Sequence, residues 1–248
     1  NILATTSFTD SPAPSSTKLN QWETIPSGNW ITGALNSSNS NYLEGETVPF
    51  ELDLGKIATS GNPYTFSICR DYQSGSQFGY ISLQLFDTSR VAVPDGTISF
   101  TNSPFSGSNI SSISFTETGG QGACSSGQRE TQLSINVISG SVDTYLLWGG
   151  RLASPSDSGV GAGNGASSYP GGSLHMHLLS PNKDVGIQTS GIIELAQITV
   201  TKVVDTGSAN ADQWCFNISP DPNGQSGIIC GPSGIFTGLP TGDYTITE

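Results

Sequence analysis

Basic residues are scarce in this chain, which has 8 Lys and Arg against 20 Asp and Glu among 248 residues and a formal net charge of −12. A protein without a cationic surface cannot displace the counterions of phosphate groups. Nucleic acid and anionic membrane surfaces are therefore not expected as partners. A cation is compatible with this charge, so calcium is the one cofactor that the composition leaves open.

The chain also lacks any run of about 18 apolar residues, the length that a membrane-spanning helix needs, so no membrane span is expected. It begins at Asn1 rather than Met, which favours a chain from which a signal peptide has been removed, or a trimmed one. Charged residues make up only 11% of the sequence, whereas glycine is abundant. Such a composition, rich in hydroxyl and amide groups, is typical of secreted β-proteins.

Only two histidines are present, His175 and His177, and their spacing places them on one face of a strand. Two imidazoles without a recognisable third ligand do not make a metal centre, and we expect both to face solvent or to lie under a loop. No G-x-S-x-G elbow is present and no carboxylate pair stands out, so the sequence favours a protein that is not an enzyme. Asp205 and residues 221–224 offer oxygen ligands for calcium, although the latter run is more typical of a turn.

The four cysteines fall into two separated pairs, Cys69 with Cys124 and Cys215 with Cys230. Four cysteines allow three pairings, of which pairing within each predicted domain is the simplest. Neither pair has C-x₂-C spacing or a histidine close by in sequence, which disfavours zinc. The pairs therefore predict two disulfides, an oxidising compartment and an extracellular or cell-surface location.

Three N-x-S/T sequons begin at Asn36, Asn109 and Asn217. In an extracellular chain such tripeptides predict N-glycosylation and hence a glycoprotein. They are also frequent by chance in a sequence rich in Ser and Asn, so the sequons alone do not establish occupancy.

Hydrophobic alternation with a period of two recurs along the chain and predicts an all-β fold. Val48, Phe50, Leu52 and Leu54 share one strand face, and comparable segments predict about ten short strands between residues 28 and 195. This spacing favours a large, jelly-roll-like β-sandwich over a closed barrel. Residues 154–172, rich in Gly, Ser, Ala and Pro, are predicted to form a surface loop outside the core, either a binding or inter-subunit loop or a flexible insertion.

Composition divides the chain into three parts: residues 1–18, a large sandwich over 19–196 and a smaller module over 197–248. At the N-terminus, Ile2, Ala4, Thr6 and Phe8 alternate as in a strand, and a Pro/Ser-rich linker follows at residues 11–16. A strand held on such a linker can pair with the open sheet of a neighbouring copy, or it can fold back onto its own sandwich.

Two strand patterns near the C-terminus place a lysine and a glutamate among apolar residues. Lys202 shares a strand face with Val200 and Val204, and Glu248 shares one with Ile246. Both side chains are therefore predicted to point into the core of the module and to contact each other. Burial favours the neutral forms of an amine and a carboxylic acid, which prepares an amine for nucleophilic attack.

The stretch ITVTKVVD at residues 198–205, followed by LPTGDYTITE at residues 239–248, resembles the collagen-adhesin B-repeat modules (Cna-B, SpaA-pilin-like) of bacterial surface stalks and pili. The resemblance covers the last fifth of the chain and implies an Ig-like or prealbumin-like β-sandwich. It places Lys202 at the position of the lysine that forms an isopeptide bond in the family, and Glu248 at that of the assisting glutamate. The family's partner asparagine lies in later strands, so the module is expected to be incomplete here and open at one edge.

These features together predict a structural or adhesive subunit of an extracellular filament, pilus (fimbrium) or surface stalk. Its expected partners are copies of itself, joined head to tail by strand complementation, and host or environmental surfaces. A secreted carbohydrate- or surface-binding β-sandwich is the alternative.

Overall fold

The structure is a computed structural model that describes residues 17–26, 28–57, 63–203, 214–221, 228–240 and 242–248. Within these ranges the chain is all-β with several antiparallel sheets, which confirms the predicted fold class. The proposed donor residues Ile2, Ala4, Thr6 and Phe8 lie outside the described residues. No helix in the described part of the chain is long and apolar enough to cross a membrane.

In chain order, the strands are β1 Lys18–Glu23, β2 Asn29–Ile31, β3 Tyr42–Leu43, β4 Thr47–Lys56, β5 Tyr64–Asp71, β6 Gln73–Ser74, β7 Gln77–Phe78, β8 Tyr80–Gln84, β9 Ile98–Ser99, β10 Phe105–Ser108, β11 Ile110–Glu117, β12 Gln128–Val137, β13 Asp143–Leu152, β14 Ser173–Leu178, β15 Lys183–Gln188, β16 Ile192–Ile193, β17 Ala196–Thr201, β18 Cys215–Ser219, β19 Ile228–Cys230, β20 Ser233–Leu239 and β21 Thr245–Thr247. Two short 3₁₀ turns, Ala166–Ser168 and Thr189–Gly191, interrupt this series.

Two larger sheets supply the main hydrophobic core. The first has the order β2-β1-β4-β13-β10-β9, with β8 also paired to β13, and the second has the order β11-β12-β5-β14-β15. Phe50 and Trp148 of the first sheet belong to the same buried cluster as Ile68, Ile135 and Met176 of the second. Side chains from both sheets thus meet in one core, which is consistent with a β-sandwich.

Strand β4 follows the predicted alternation on its inward face, whereas its outward face is buried as well. Its inward residues Val48, Phe50 and Leu52 are fully buried, as the period of two predicts. Pro49 and Glu51 on the opposite face are also buried. Residues 85–91 line the same groove as Pro49 and cover the outer face of the sheet beside it. A carboxylate is buried here because Asn20 donates a hydrogen bond of 2.8 Å to Glu51.

The Gly-rich segment 154–172 is tied to the sandwich more closely than expected. Val160 and Ala166 are buried members of the main hydrophobic core. The Phe78 amide donates to Asn164 O at 2.9 Å, and the Ala166 amide donates to Ala153 O at 3.1 Å. The prediction of a loop that stays outside the core was wrong, because two of its few apolar residues fill space beside β7 and β13.

A buried carboxylate fastens the Gly-rich segment. Glu44 is only 3% exposed and accepts three hydrogen bonds, from Ser167 N at 3.0 Å, Ser167 Oγ at 2.7 Å and Leu195 N at 3.0 Å. Gly165 packs so closely against this carboxylate that an added Cβ would overlap Glu44 Oε1. Glu44 therefore joins β3, the Gly-rich segment and the residues that precede β17.

Replacing Glu44 by Ala is expected to lower the free energy of unfolding by about 3 kcal/mol, because it leaves several partly buried donors without an acceptor. The matched control, Ser167→Ala, removes one donor and keeps the carboxylate bond to Leu195, so its cost should be about 1 kcal/mol. Urea unfolding followed by tryptophan fluorescence measures both values. Equal stabilities for Glu44→Ala and Ser167→Ala would contradict the role given to the carboxylate.

The C-terminal residues form two further small sheets, β17-β20 and β19-β18-β21. Their hydrophobic cluster is separate from the first and is centred on Phe216, Ile218, Phe236 and Leu239. Cys215 and Cys230 face each other across β18 and β19 and are joined by a disulfide. Cys69 is joined to Cys124, so both disulfides have the pairing that the sequence predicts.

Candidate functional site

The ends of β17 and β21 meet at an ion pair between Lys202 and Glu248. The Lys202 Nζ atom lies 2.8 Å from Glu248 Oε1 and 2.6 Å from Oε2, so the ammonium group contacts both carboxylate oxygens. The same nitrogen lies 4.2 Å from the centre of the Trp214 ring, within the range of a cation–π interaction. The strand pattern correctly placed the two side chains in contact.

Burial of the pair was predicted incorrectly. The Lys202 side chain is 26% exposed and that of Glu248 is 41% exposed, so neither is inside the core. The strand parity itself is right, because Val200 and Ile246 on the same faces are half-buried. The pair lies at the rim because the core of the module is centred on Phe216 and its neighbours. An ion pair this open to solvent contributes less than about 1 kcal/mol.

The strands that carry this pair each have an edge that no described strand occupies. Strand β17 pairs only with β20, and β21 pairs only with β18, among the strands that the structure describes. Three aliphatic side chains of this region are more than half exposed: Val203 at 82%, Ile228 at 57% and Ile235 at 53%. Unpaired strand edges with exposed aliphatic residues can be covered by a further strand.

The two histidines are held by aspartates on neighbouring strands. Asp71 Oδ2 accepts a hydrogen bond of 2.8 Å from the His175 amide and lies 3.2 Å from His175 Nδ1. His177 Nδ1 lies 3.9 Å from Asp184 Oδ1. No group of three His, Cys, Asp or Glu residues suited to a metal occurs within the described ranges. Of the residues named for calcium, only Asp221 lies inside those ranges, because Asp205 and 222–224 are outside the described residues.

The Asp71–His175 contact predicts a pH-dependent stability. The hydrogen bond to Asp71 raises the pKa of His175, and its burial and the nearby Asp184 modify this shift. Burial raises the pKa of Asp71, but hydrogen bonds from His175 and Gln128 outweigh it, so that pKa is lowered. The histidine contribution is complete below its ordinary pKa of 6.5 and is lost as pH rises through the raised value. The aspartate contribution is complete above 3.8 and is lost as pH falls through the lowered value.

We therefore expect His175→Ala to lower stability mainly between pH 4 and 6.5, by less than about 1 kcal/mol because the imidazole is partly exposed. The loss should shrink above neutral pH, where the imidazole is uncharged in both states. Thermal unfolding of the variant and of the control His177→Ala at pH 5 and pH 8.5 measures this difference. A loss that is the same at both pH values would contradict the assignment.

The three sequon asparagines have different environments. Asn109 Nδ2 is surrounded by three acceptors, Ser139 O at 2.7 Å, Val142 O at 3.2 Å and Thr144 Oγ1 at 2.8 Å, so a glycan would replace one of its two donating hydrogens and displace these partners. The Asn36 amide oxygen accepts from Ser38. Asn217 is exposed on β18. Glycosylation stays a prediction at all three positions, and Asn109 is the least suited to it.

Sequence reasoning missed a groove on the outer side of the first sheet. The groove has a volume of about 860 Å³ and is bounded by the end of β1, by Thr24, Pro26 and Gly28, and by residues 41–47 and 84–91. Its walls combine Trp22, Pro49 and Phe86 with the polar side chains of Glu46 and Arg90. No sequence motif identifies it, because the groove exists only where residues 85–97 cross the sheet.

The comparisons with known proteins found no match for this chain, so a function can be argued only from the geometry of its sites. Neither the Lys202–Glu248 pair nor the groove can be compared with a characterised site, because the chain matches no protein-family model, no curated protein and no solved structure.

Proposed function

We propose that this chain is a structural or adhesive subunit of an extracellular filament, pilus or surface stalk, and that its C-terminal module accepts a strand from a neighbouring copy. The observation that supports this proposal is the pair of edges on β17 and β21 that no described strand occupies, with the strand ends joined by Lys202 and Glu248. The two disulfides support an extracellular location.

Apolar burial and backbone pairing are the two terms that would stabilise such a complementation. An added strand of six to eight residues would cover about 300 Å² of apolar surface around Val203 and Ile235 and would pair an open backbone edge. At about 25 cal/mol per Å², this burial contributes roughly 7 kcal/mol before the entropy of ordering the strand is subtracted. The backbone hydrogen bonds that the added strand would make act in the same direction, against the entropic cost of ordering it.

The best donor in the sequence is the alternating segment at residues 2–8. It is followed by the Pro/Ser-rich residues 11–16, which as an extended linker span at most about 20 Å. Donation from the N-terminus of one copy to the C-terminal module of the next is a heterologous contact, which produces a fibre unless the rotation closes a ring. Head-to-tail donation therefore accounts for a filament without any further interface.

The proposal predicts that one face of the donor segment matters more than the other. Ile2→Asp with Phe8→Asp places charges on the face that would enter the module, and should reduce the polymerised fraction at least tenfold. The matched control, Leu3→Asp with Ser7→Asp, places the same charges on the opposite face and should change it less than about twofold. Sedimentation velocity measures both fractions. Equal loss of polymer in both variants would contradict insertion of this face.

A further inference from the structure

The groove beside residues 85–97 has an apolar floor that is held in place before any ligand arrives. Trp22 packs edge-to-face on Trp30 with ring centres 5.2 Å apart, and Trp30 packs on Phe86 at 6.3 Å. The Trp30 indole N–H donates a hydrogen bond of 2.6 Å to Ala92 O, which ties the crossing segment to β2. Gly28, with φ +72°, lies so close to the Trp22 ring that an added Cβ would be 2.7 Å from Cζ2. These contacts fix the rings. Trp22 is only 8% exposed, so the half-buried ring of Phe86 provides most of the aromatic surface that a ligand can reach.

The rim of the groove carries polar atoms that the protein itself leaves available. Asn41 Oδ1 accepts from Thr24 Oγ1, whereas its Nδ2 donates to no described residue. Glu46 uses one oxygen for the Leu43 amide, and its other oxygen accepts from no residue that the structure describes. Asp87 accepts from the Ser89 amide, and the Ser89 hydroxyl is its second local partner. Arg90 is exposed and makes no hydrogen bond within the described ranges. The rim thus presents donors and acceptors in mixed order.

The charge of the groove disfavours polyionic ligands. Two carboxylates and one guanidinium leave a formal net charge of −1, and the mixture of signs matches neither a polyanion nor a polycation. Part of the floor is paired sheet, because Trp22 of β1 pairs with Trp30 of β2 and Pro49 of β4 pairs with Gly149 of β13. The pairing of β1 with β4 ends at Gln21 and Phe50, so a peptide is included as a competing probe in the binding test below.

We propose that this groove binds a neutral oligosaccharide. A sugar chain combines apolar C–H faces, which pack on aromatic rings, with hydroxyl groups that donate and accept at the same time, and this matches the fixed aromatic floor and the mixed rim. The volume of about 860 Å³ lies within the range of small-molecule sites, about 300–1,000 Å³. The inference is independent of strand exchange, because the groove contains no residue of the C-terminal module.

The test titrates the full-length protein with neutral hexasaccharides of β-1,4-glucose, β-1,4-N-acetylglucosamine and α-1,4-glucose, using calorimetry and tryptophan fluorescence. A polygalacturonate hexasaccharide and a Gly/Ser hexapeptide are the anionic and peptide probes. We expect at least one neutral sugar to bind with a Kd of about 0.1–1 mM and to change the fluorescence of Trp22. We also expect the polygalacturonate hexasaccharide and the Gly/Ser hexapeptide to bind more weakly than that sugar.

The variant that tests the site is Asp87→Ala with Arg90→Ala, whose side chains are exposed at the rim and whose removal should not unfold the protein. It should weaken sugar binding at least about tenfold. The matched control, Gln132→Ala with Ser134→Ala, alters a polar face of the other sheet and should leave Kd unchanged. The proposal is overturned if no neutral sugar binds, if the anionic or peptide probe binds more tightly, or if both variants bind equally well. None of these results affects the strand-exchange proposal, which is measured by assembly.

Discussion

Deleting residues 1–10 is expected to convert the protein from polymers into monomers. The proposed donor strand lies within these residues, and no other segment of the sequence combines strand alternation with a Pro/Ser-rich linker. Without the donor, the edges of β17 and β21 stay uncovered, and exposed aliphatic residues such as Val203 remain in water. The main core consists of buried residues between Leu19 and Ile192 and does not include the deleted segment, so the larger sandwich should remain folded.

Sedimentation velocity and electron microscopy measure the loss of polymer, and a synthetic peptide of residues 1–10 provides the control. Added to the deletion variant, the peptide should raise the melting temperature of the C-terminal module and should not restore polymers, because it lacks a sandwich of its own. A scrambled peptide of the same composition should do neither. Filaments formed by the deletion variant would show that another surface drives assembly.

Removal of the Cys69–Cys124 disulfide is expected to have the largest effect on stability. The bond joins β5 to the connection between β11 and β12 and closes a loop with a sequence separation of 55 residues. In the loop-entropy model a cross-link of this length contributes about 4 kcal/mol. The Cys215–Cys230 disulfide, with a separation of 15 residues, contributes about 3 kcal/mol to the smaller module.

The experiment compares two double variants, Cys69→Ala with Cys124→Ala and Cys215→Ala with Cys230→Ala, by urea unfolding. Trp148 is buried in the main core and reports on the sandwich, whereas Trp214 packs against the second hydrophobic cluster. Each double variant should shift mainly the transition of its own fluorescence reporter. A shift of both transitions by the same amount in either variant would show that the two clusters unfold as one unit.

The parts of the fold that follow from local pattern could be predicted from the sequence. Alternation identified the buried face of β4 that carries Val48, Phe50, Leu52 and Leu54, because the side chains of a strand alternate by geometry. It also placed Lys202 and Glu248 on matching faces, and the structure brings these residues into contact. The even number of cysteines, read domain by domain, led to the pairing that the structure contains.

Features that depend on distant segments could not be predicted. Pro49 lies beside residues 85–91, and nothing in the sequence of β4 indicates which segment crosses it. The groove arises from the same crossing. Nothing in the sequence around Glu44 indicates that its carboxylate is buried, because its burial follows from the donors that the distant residues Ser167 and Leu195 bring to it. The alternation of side chains predicted the strand face on which Lys202 lies, but it did not predict how far the side chain is buried. Burial depends on which segments cover the strand edge.

The most direct test of strand exchange identifies which copy supplies the strand beside β17 or β21. Thr5 is replaced by the photo-reactive p-benzoylphenylalanine, and ¹⁴N- and ¹⁵N-labelled proteins are mixed as monomers, allowed to assemble, irradiated and digested for mass spectrometry. Strand donation between molecules predicts cross-links from position 5 to residues 196–203 or 245–248, with mixed-isotope pairs among them. Cross-links confined to pairs of a single isotope, or directed to the sandwich between residues 18 and 193, would contradict it.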